Sequence, residues 1–158
     1  MEKRLLFLHG LDSSAQGTKG RWFAHHFPAM LRRDYHGDLA ARLEQLAEQC
    51  RGLSHLILVG SSFGGLMATI HCSRYPQQCH RLILLAPALN FADFVPPAVK
   101  ITTPTRIIIG KYDTVTPPDL VLPLAEQTFA APVVTLVDDD HMLATVFPQL
   151  NWREMLAC

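Results

Sequence analysis

Nowhere in the chain do apolar residues run on far enough to cross a membrane; no window approaches the roughly 18 uninterrupted residues that a span requires. Met1-Glu2-Lys3-Arg4 is followed by an apolar run of only four residues, Leu5-Leu6-Phe7-Leu8, where a secretory h-region needs about 7 to 15. That run reads as a short strand, and the expectation is a soluble, cytoplasmic protein without membrane insertion. An excess of charge of either sign is missing too. Fourteen Lys and Arg balance fourteen Asp and Glu, with no long basic run, so the footprint for neutralising many phosphates is absent and no nucleic-acid partner is expected. Cysteine is sparse, and Cys50, Cys72, Cys79 and Cys158 form neither a C-x-x-C pair nor a zinc-finger spacing. They read as free thiols in a reducing compartment. Charged residues reach only 18% against 49% hydrophobic, which excludes disordered and coiled-coil classes. Internal repeats and low-complexity segments are lacking, and Pro96-Pro97 and Pro117-Pro118 punctuate loops.

What is present is a core. A chain of 158 residues suits one domain spanning residues 1–158, and a domain of that size buries about 68–70% of its unfolded surface without a metal or disulfide staple. Short apolar runs over residues 5–8, 56–59, 82–85, 106–109 and 133–137 read as strands. Because they are continuous rather than alternating, both faces of each are expected to be covered, as in a parallel sheet between helices. Helices are predicted over 19–27, 38–50, 63–75, 119–129 and 143–156. In the second of these, Leu39, Leu43, Leu46, Ala47 and Cys50 recur at the helical period. Arg42, Glu44, Gln45 and Glu48 should face out, and Asp38 should cap the N-terminus. Alternating strand and helix predict an α/β fold: three layers around a doubly wound, mostly parallel sheet of five or six strands. Ligands of such sheets bind beyond the carboxyl ends of the strands.

Three motifs lie at those ends. Gly60-Ser61-Ser62-Phe63-Gly64 matches G-x-S-x-G between a strand and a helix, where the glycines permit a sharp turn and the serine is held out at a helix N-terminus. Neither a P-loop lysine nor G-x-G-x-x-G accompanies it, which makes a phosphate loop the weaker reading. A serine nucleophile needs a base, and the base an orienter. Of eight histidines, His141 follows the last predicted strand, while His9 ends the first and reads as a loop residue. Asp113 follows the strand over 106–109 and is the candidate acid, with Asp138, Asp139 and Asp140 as the alternative. Those three acids beside the base are also expected to repel anionic substrates. For the oxyanion, the turn after the first strand offers the N–H of Leu11, with Asp12 as alternative, joined by the N–H of Phe63.

Leu8-His9-Gly10, the turn at Ser62, Gly110-Lys111-Tyr112-Asp113 with Val115-Thr116-Pro117 behind it, and Asp140-His141 together resemble the α/β-hydrolase superfamily over nearly the whole chain. His9-Gly10-Leu11-Asp12-Ser13-Ser14 with the nearby Lys19 resembles more narrowly the small YqiA-type esterases, whose short chains lack a large cap domain. The resemblance implies a minimal α/β-hydrolase fold without a cap, a Ser62-Asp113-His141 triad, and no metal or other cofactor. Against the family pattern, the chain starts at what would be its third strand, and residues 29–37 make a poor strand where one is expected. Residues 88–95, with Phe91 and Phe94, read either as the rim of an acyl pocket or as ordinary packing. The expected activity is a serine hydrolase acting on small-molecule esters or thioesters of small or medium acyl groups. A peptidase or amidase with the same triad, and a non-catalytic protein-binding module on a hydrolase scaffold, are the alternatives. A monomer or small homo-oligomer is expected.

Overall fold

The apolar runs become strands β1 (Arg4–Leu8), β3 (Leu56–Ser61), β4 (Cys79–Leu85), β5 (Thr105–Gly110) and β6 (Val133–Val137), and residues 31 and 32 add a two-residue strand, β2 (Leu31–Arg32). The computed structural model describes residues 2–157; Met1 and Cys158 lie outside the described residues. Cys50, Cys72 and Cys79 are free thiols. All six strands are parallel, in the order β2-β1-β3-β4-β5-β6. Around them lie α1 (Thr18–His26), α2 (Leu39–Gln49), α3 (Phe63–Arg74), α4 (Pro118–Thr128) and α5 (Trp152–Met155). Alternate strand residues go to opposite faces, because successive side chains of a strand point opposite ways. Leu6, Leu8, Leu58 and Leu84 pack with Leu46 of α2, Met67 of α3 and Val121 of α4. Phe7, Val59, Ile83 and Ile108 pack with Phe23 of α1 and Trp152 of α5. The result is the expected three-layer α/β sheet. Strand order reverses between β1 and β3, so the crevice beyond their carboxyl ends is the topological switch point where ligands of open α/β sheets bind.

Three expectations need correction, and a fourth, that residues 29–37 make a poor strand, is met. The run over 133–137 is not covered on both faces: β6 is an edge strand and Val133, Val134 and Leu136 are exposed. Residues 143–156 do not form one helix. Leu143 has a positive φ of 53°, Pro148 sits in a short 3-10 turn over Phe147–Gln149, and α5 begins anew with the Asn151 side chain accepting from Glu154 N–H. Proline cannot supply the N–H that a continuous helix needs there. Residues 29–37 yield only β2, since their polar groups are used elsewhere: the Asp34 carboxylate accepts from Ala15 N–H at 2.7 Å and Arg32 donates to the Ala15 carbonyl at 2.9 Å. Finally, Arg42 does not face out. It is 6% exposed, whereas Glu44 and Glu48 on the same helix are exposed. Asp38 caps α2 as expected, accepting from Ala41 N–H at 2.9 Å. Between β4 and β5, residues 86–104 form an irregular connection with no helix or named strand.

Candidate active site

Ser62 stands where β3 turns into α3, with φ 55° and ψ −114°. That conformation is rarely adopted by a residue with a side chain and costs about 1–3 kcal/mol. The surroundings enforce it. Ser62 N–H donates to the Leu85 carbonyl at 2.9 Å, and the Ser62 carbonyl accepts from Gly65 and Ala88 N–H at 2.9 and 3.0 Å. The glycines are needed for close approach: a Cβ on Gly64 would overlap the carbonyls of Leu8 and His9, and one on Gly60 the backbone of Gly64 and Gly65. The turn therefore wedges against the end of β1, and the serine projects into the crevice.

His141 reaches it from the far side. Its Nε2 is 3.1 Å from Ser62 Oγ and its Nδ1 is 2.8 Å from Asp113 Oδ2. The carboxylate can only accept, so Nδ1 carries a proton, and in the neutral ring Nε2 then presents its lone pair to the serine hydroxyl. Asp113 has a fully buried side chain. Burial alone would raise its pKa, but donors more than offset that and hold it below the usual carboxylate range: the side chain and N–H of Thr116, then His141. Oδ1 accepts from the N–H of Val115 and Thr116 at 2.9 and 2.8 Å, and Oδ2 from Thr116 Oγ1 at 2.7 Å. The two loops meet because β5 and β6 end side by side, with Gly110 in register with Val137. Lys111 and Tyr112 N–H donate to the carbonyls of Val137 and Asp139 at 2.8 and 3.2 Å, and a Cβ on Gly110 would strike the Asp139 and Asp140 carbonyls.

The alternative acids do other work. Asp139 accepts from the N–H groups of Asp140, Thr145 and Val146, at 2.8, 3.0 and 2.9 Å, and Asp140 from Met142 N–H at 3.1 Å. Those backbone bonds hold the loop that carries His141. Lys19 of α1 ties the same loop from across the crevice, donating to the Met142 carbonyl at 2.6 Å. Burial lowers its ammonium pKa, with Asp139 and Asp140 opposing.

Leu11 and Phe63, the expected oxyanion donors, border the same cavity as Ser62 and His141, a space of about 710 Å³. No acceptor among the described residues takes either N–H. The Gly10–Leu11 peptide is oriented by His9. Its Nε2 accepts from Tyr35 N–H at 2.8 Å, which puts the ring proton on Nδ1, 2.6 Å from the Gly10 carbonyl. His9 is 1% exposed, and burial lowers its pKa. Reading His9 as a loop residue misses this, because its partner Tyr35 is supplied by the segment around β2. Thr116 is missed as well; only its place behind Asp113 hints at it. Of residues 88–95, Ala88, Asn90, Phe91 and Ala92 line the cavity, while Phe94 packs on the core. Among the described residues no group of three or more His, Cys, Asp or Glu could hold a metal ion.

The profile of the serine aminopeptidase S33 family matches residues 7–105, well over half the chain. The chain belongs to this family of α/β-hydrolases. As an S33-family protein it is a hydrolase, and the matched stretch holds Leu11, Ser62 and Phe63. No curated protein matches it in sequence. Its fold is shared with solved structures at low identity. Est1E from Butyrivibrio proteoclasticus with bound ferulic acid superposes with a TM-score of 0.76 at 15% identity, covering 99% of this chain and 90% of that one. Mouse alpha/beta hydrolase domain-containing protein 10 gives 0.73 at 17%, covering 90% and 83%. The monoacylglycerol lipase of Paleococcus ferrophilus gives 0.70 at 14%, covering 87% and 85%. Among the described residues no helix is long and apolar enough to cross a membrane.

Proposed function

We propose that residues 1–158 form one catalytic domain of a serine hydrolase that cleaves carboxylic esters or thioesters of small or medium acyl groups. The hydrogen-bond chain from buried Asp113 through His141 to a strained Ser62 at the mouth of the cavity carries this reading. Ser62 Oγ attacks the acyl carbon while His141 Nε2 takes its proton. The oxyanion that forms is received by the N–H groups of Leu11 and Phe63. Collapse to the acyl-enzyme expels the alcohol or thiol as His141 returns the proton, and water repeats the sequence to release the acid. Asp113 keeps the imidazole in the productive tautomer and balances its charge. Acyl chemistry is the class to test first, since one structural neighbour holds ferulic acid and another is a monoacylglycerol lipase.

Residues 86–104 carry no helix or named strand that would cap the crevice, so little among the described residues surrounds the distal part of a bound chain, which favours short or medium acyl groups and no activation at a lipid interface. The serine aminopeptidase description of the family supports a second reading, an amide substrate with a free amino group. A panel of p-nitrophenyl esters of increasing chain length, run beside an acyl thioester and aminoacyl p-nitroanilides, separates the two. A fluorophosphonate should label Ser62, and Ser62→Ala should abolish labelling and turnover with little change in stability. A folded wild-type protein that never labels would instead favour the non-catalytic binding module.

A further inference from the structure

The one buried side-chain nitrogen or oxygen without a hydrogen-bond partner among the described residues is Nη1 of Arg42. Its residue is 6% exposed, and neither ion pair of the described residues includes it. A guanidinium is cationic at every working pH, and burying one without a carboxylate is costly. Apolar residues of similar volume at such places are often neutral or stabilising, so structure alone does not account for an arginine here.

Its contacts point elsewhere. Nε donates to the Gly37 carbonyl at 2.8 Å and thereby anchors the group. Nη2 lies 3.4 Å from the carbonyl oxygen of Leu11, and the guanidinium carbon stands 5.6 Å from the centre of the Phe63 ring. Leu11 and Phe63 are the two residues whose N–H groups would receive the oxyanion. Arg42 itself is not among the residues lining the cavity. It therefore touches the oxyanion loop and the first residue of α3 from behind, out of reach of substrate.

We propose that Arg42 is a positioning residue for the oxyanion pocket, pinning the Leu11 loop against Phe63 and leaving an uncompensated positive charge behind the two N–H groups. This rests on the serine-hydrolase reading above. A charge held in a dry interior acts more strongly than one in water, and it meets negative charge only once the tetrahedral intermediate forms. The contribution is thus expected in kcat and not in KM.

The test is Arg42→Met and Arg42→Lys, assayed with p-nitrophenyl acetate, with phenylboronic acid affinity and thermal unfolding measured on the same samples. The boronate forms a negatively charged tetrahedral adduct on serine and so reports the oxyanion pocket without turnover. Removing a direct oxyanion donor costs about 10²–10³ in kcat, so a residue acting behind the donors should cost less, roughly 10- to 100-fold for Arg42→Met. KM should stay within about threefold, boronate affinity should fall by a factor like that in kcat, and the melting temperature should hold or rise because an unpaired buried charge is gone. Arg42→Lys should recover part of kcat. A folded Arg42→Met with kcat and boronate affinity within about twofold of wild type overturns the proposal, as does a variant that only melts earlier. If Arg42→Met does not fold, Arg42→Lys decides: unchanged boronate affinity overturns the proposal and a loss of about fivefold or more supports it. Wild-type protein that neither turns over ester nor binds boronate overturns the serine-hydrolase reading and this inference with it.

Discussion

Asp113 illustrates how much of a residue's role depends on its donors. A carboxylate that accepts from two backbone N–H groups, the Thr116 hydroxyl and His141 is committed in position and ionised well below neutrality. Asp113→Asn keeps the shape but favours the wrong imidazole tautomer, an exchange that lowers kcat about 10⁴-fold in a Ser-His-Asp triad. A drop of that order with KM nearly unchanged is expected, while Asp139→Asn should lower the melting temperature and leave kcat per folded molecule within about fivefold, because its bonds hold the loop's backbone. If instead Asp139→Asn were the damaging change for kcat, the orienter would be misassigned. Thr116→Val is the finer probe. The hydroxyl donates to the same oxygen that His141 uses, and a hydrogen bond to a charged group is worth about 1.5–3 kcal/mol, or roughly 10- to 100-fold in kcat if expressed wholly in the transition state. Steady-state kinetics on the two variants should rank Asp113→Asn well below Thr116→Val.

Glycines in the turn from β3 to α3 and in the loop that leads into β3 serve two different purposes. At Gly64 the helix must lie against the end of β1, and an added Cβ would overlap the Leu8 and His9 carbonyls. At Gly52 the backbone has φ 76° but nothing lies within 4 Å of an added Cβ. Gly64→Ala must therefore push β1 and α3 apart, costing about 1–3 kcal/mol of stability as overpacking does, and it should also lower activity because Ser62 and the Leu11 loop separate. Gly52→Ala carries only the left-handed backbone penalty, about 1–2 kcal/mol, and should leave kcat untouched. Urea unfolding and kcat measured together distinguish the two; equal activity in both variants would show that the elbow tolerates the displacement. At this scale the helix period of α2 and its Asp38 cap are legible in sequence, yet the side of the helix that Arg42 joins is not. Periodicity assigns a charged residue to solvent, and only the loop after β1 and the ring of Phe63 create a buried place for it.

For the whole molecule the shifted groups that titrate below neutrality give a pH dependence of one sign. Burial lowers the pKa of His9, with the Gly10 bond opposing and the Arg42 charge assisting; burial lowers that of His71, with the Gln78 bond opposing. The folded state thus binds fewer protons than the unfolded chain, whose histidines titrate near 6.5, and stability rises with pH across that window. It is fully present above about 6.5 and is lost as pH falls through the folded values, with a second loss further down as Asp113 becomes protonated. Urea midpoints measured from pH 8 to pH 4 should be level above neutrality and decline below it. A flat profile down to pH 5 would mean that neither buried histidine remains neutral through its native contacts.

Local pattern alone determines a good deal of this protein. Continuous apolar runs mark five of the six strands, the 3.6-residue period marks α2, and G-x-S-x-G marks the turn that holds Ser62, since each reports backbone conformation within a few residues. The sequence also locates Asp113 and His141 in loops after strands, and so on one edge of a parallel sheet. Which acid faces His141 is decided by tertiary structure, where the register of β5 with β6 sets the Asp113 loop beside the His141 loop. The partner of His9 depends on where the segment after β2 passes, the exposure of β6 on its being last in the sheet, and the burial of Arg42 on what lies across from α2. A residue's own neighbours in sequence constrain its dihedral angles, but its neighbours in space are set by strand order and loop paths, which no local window contains.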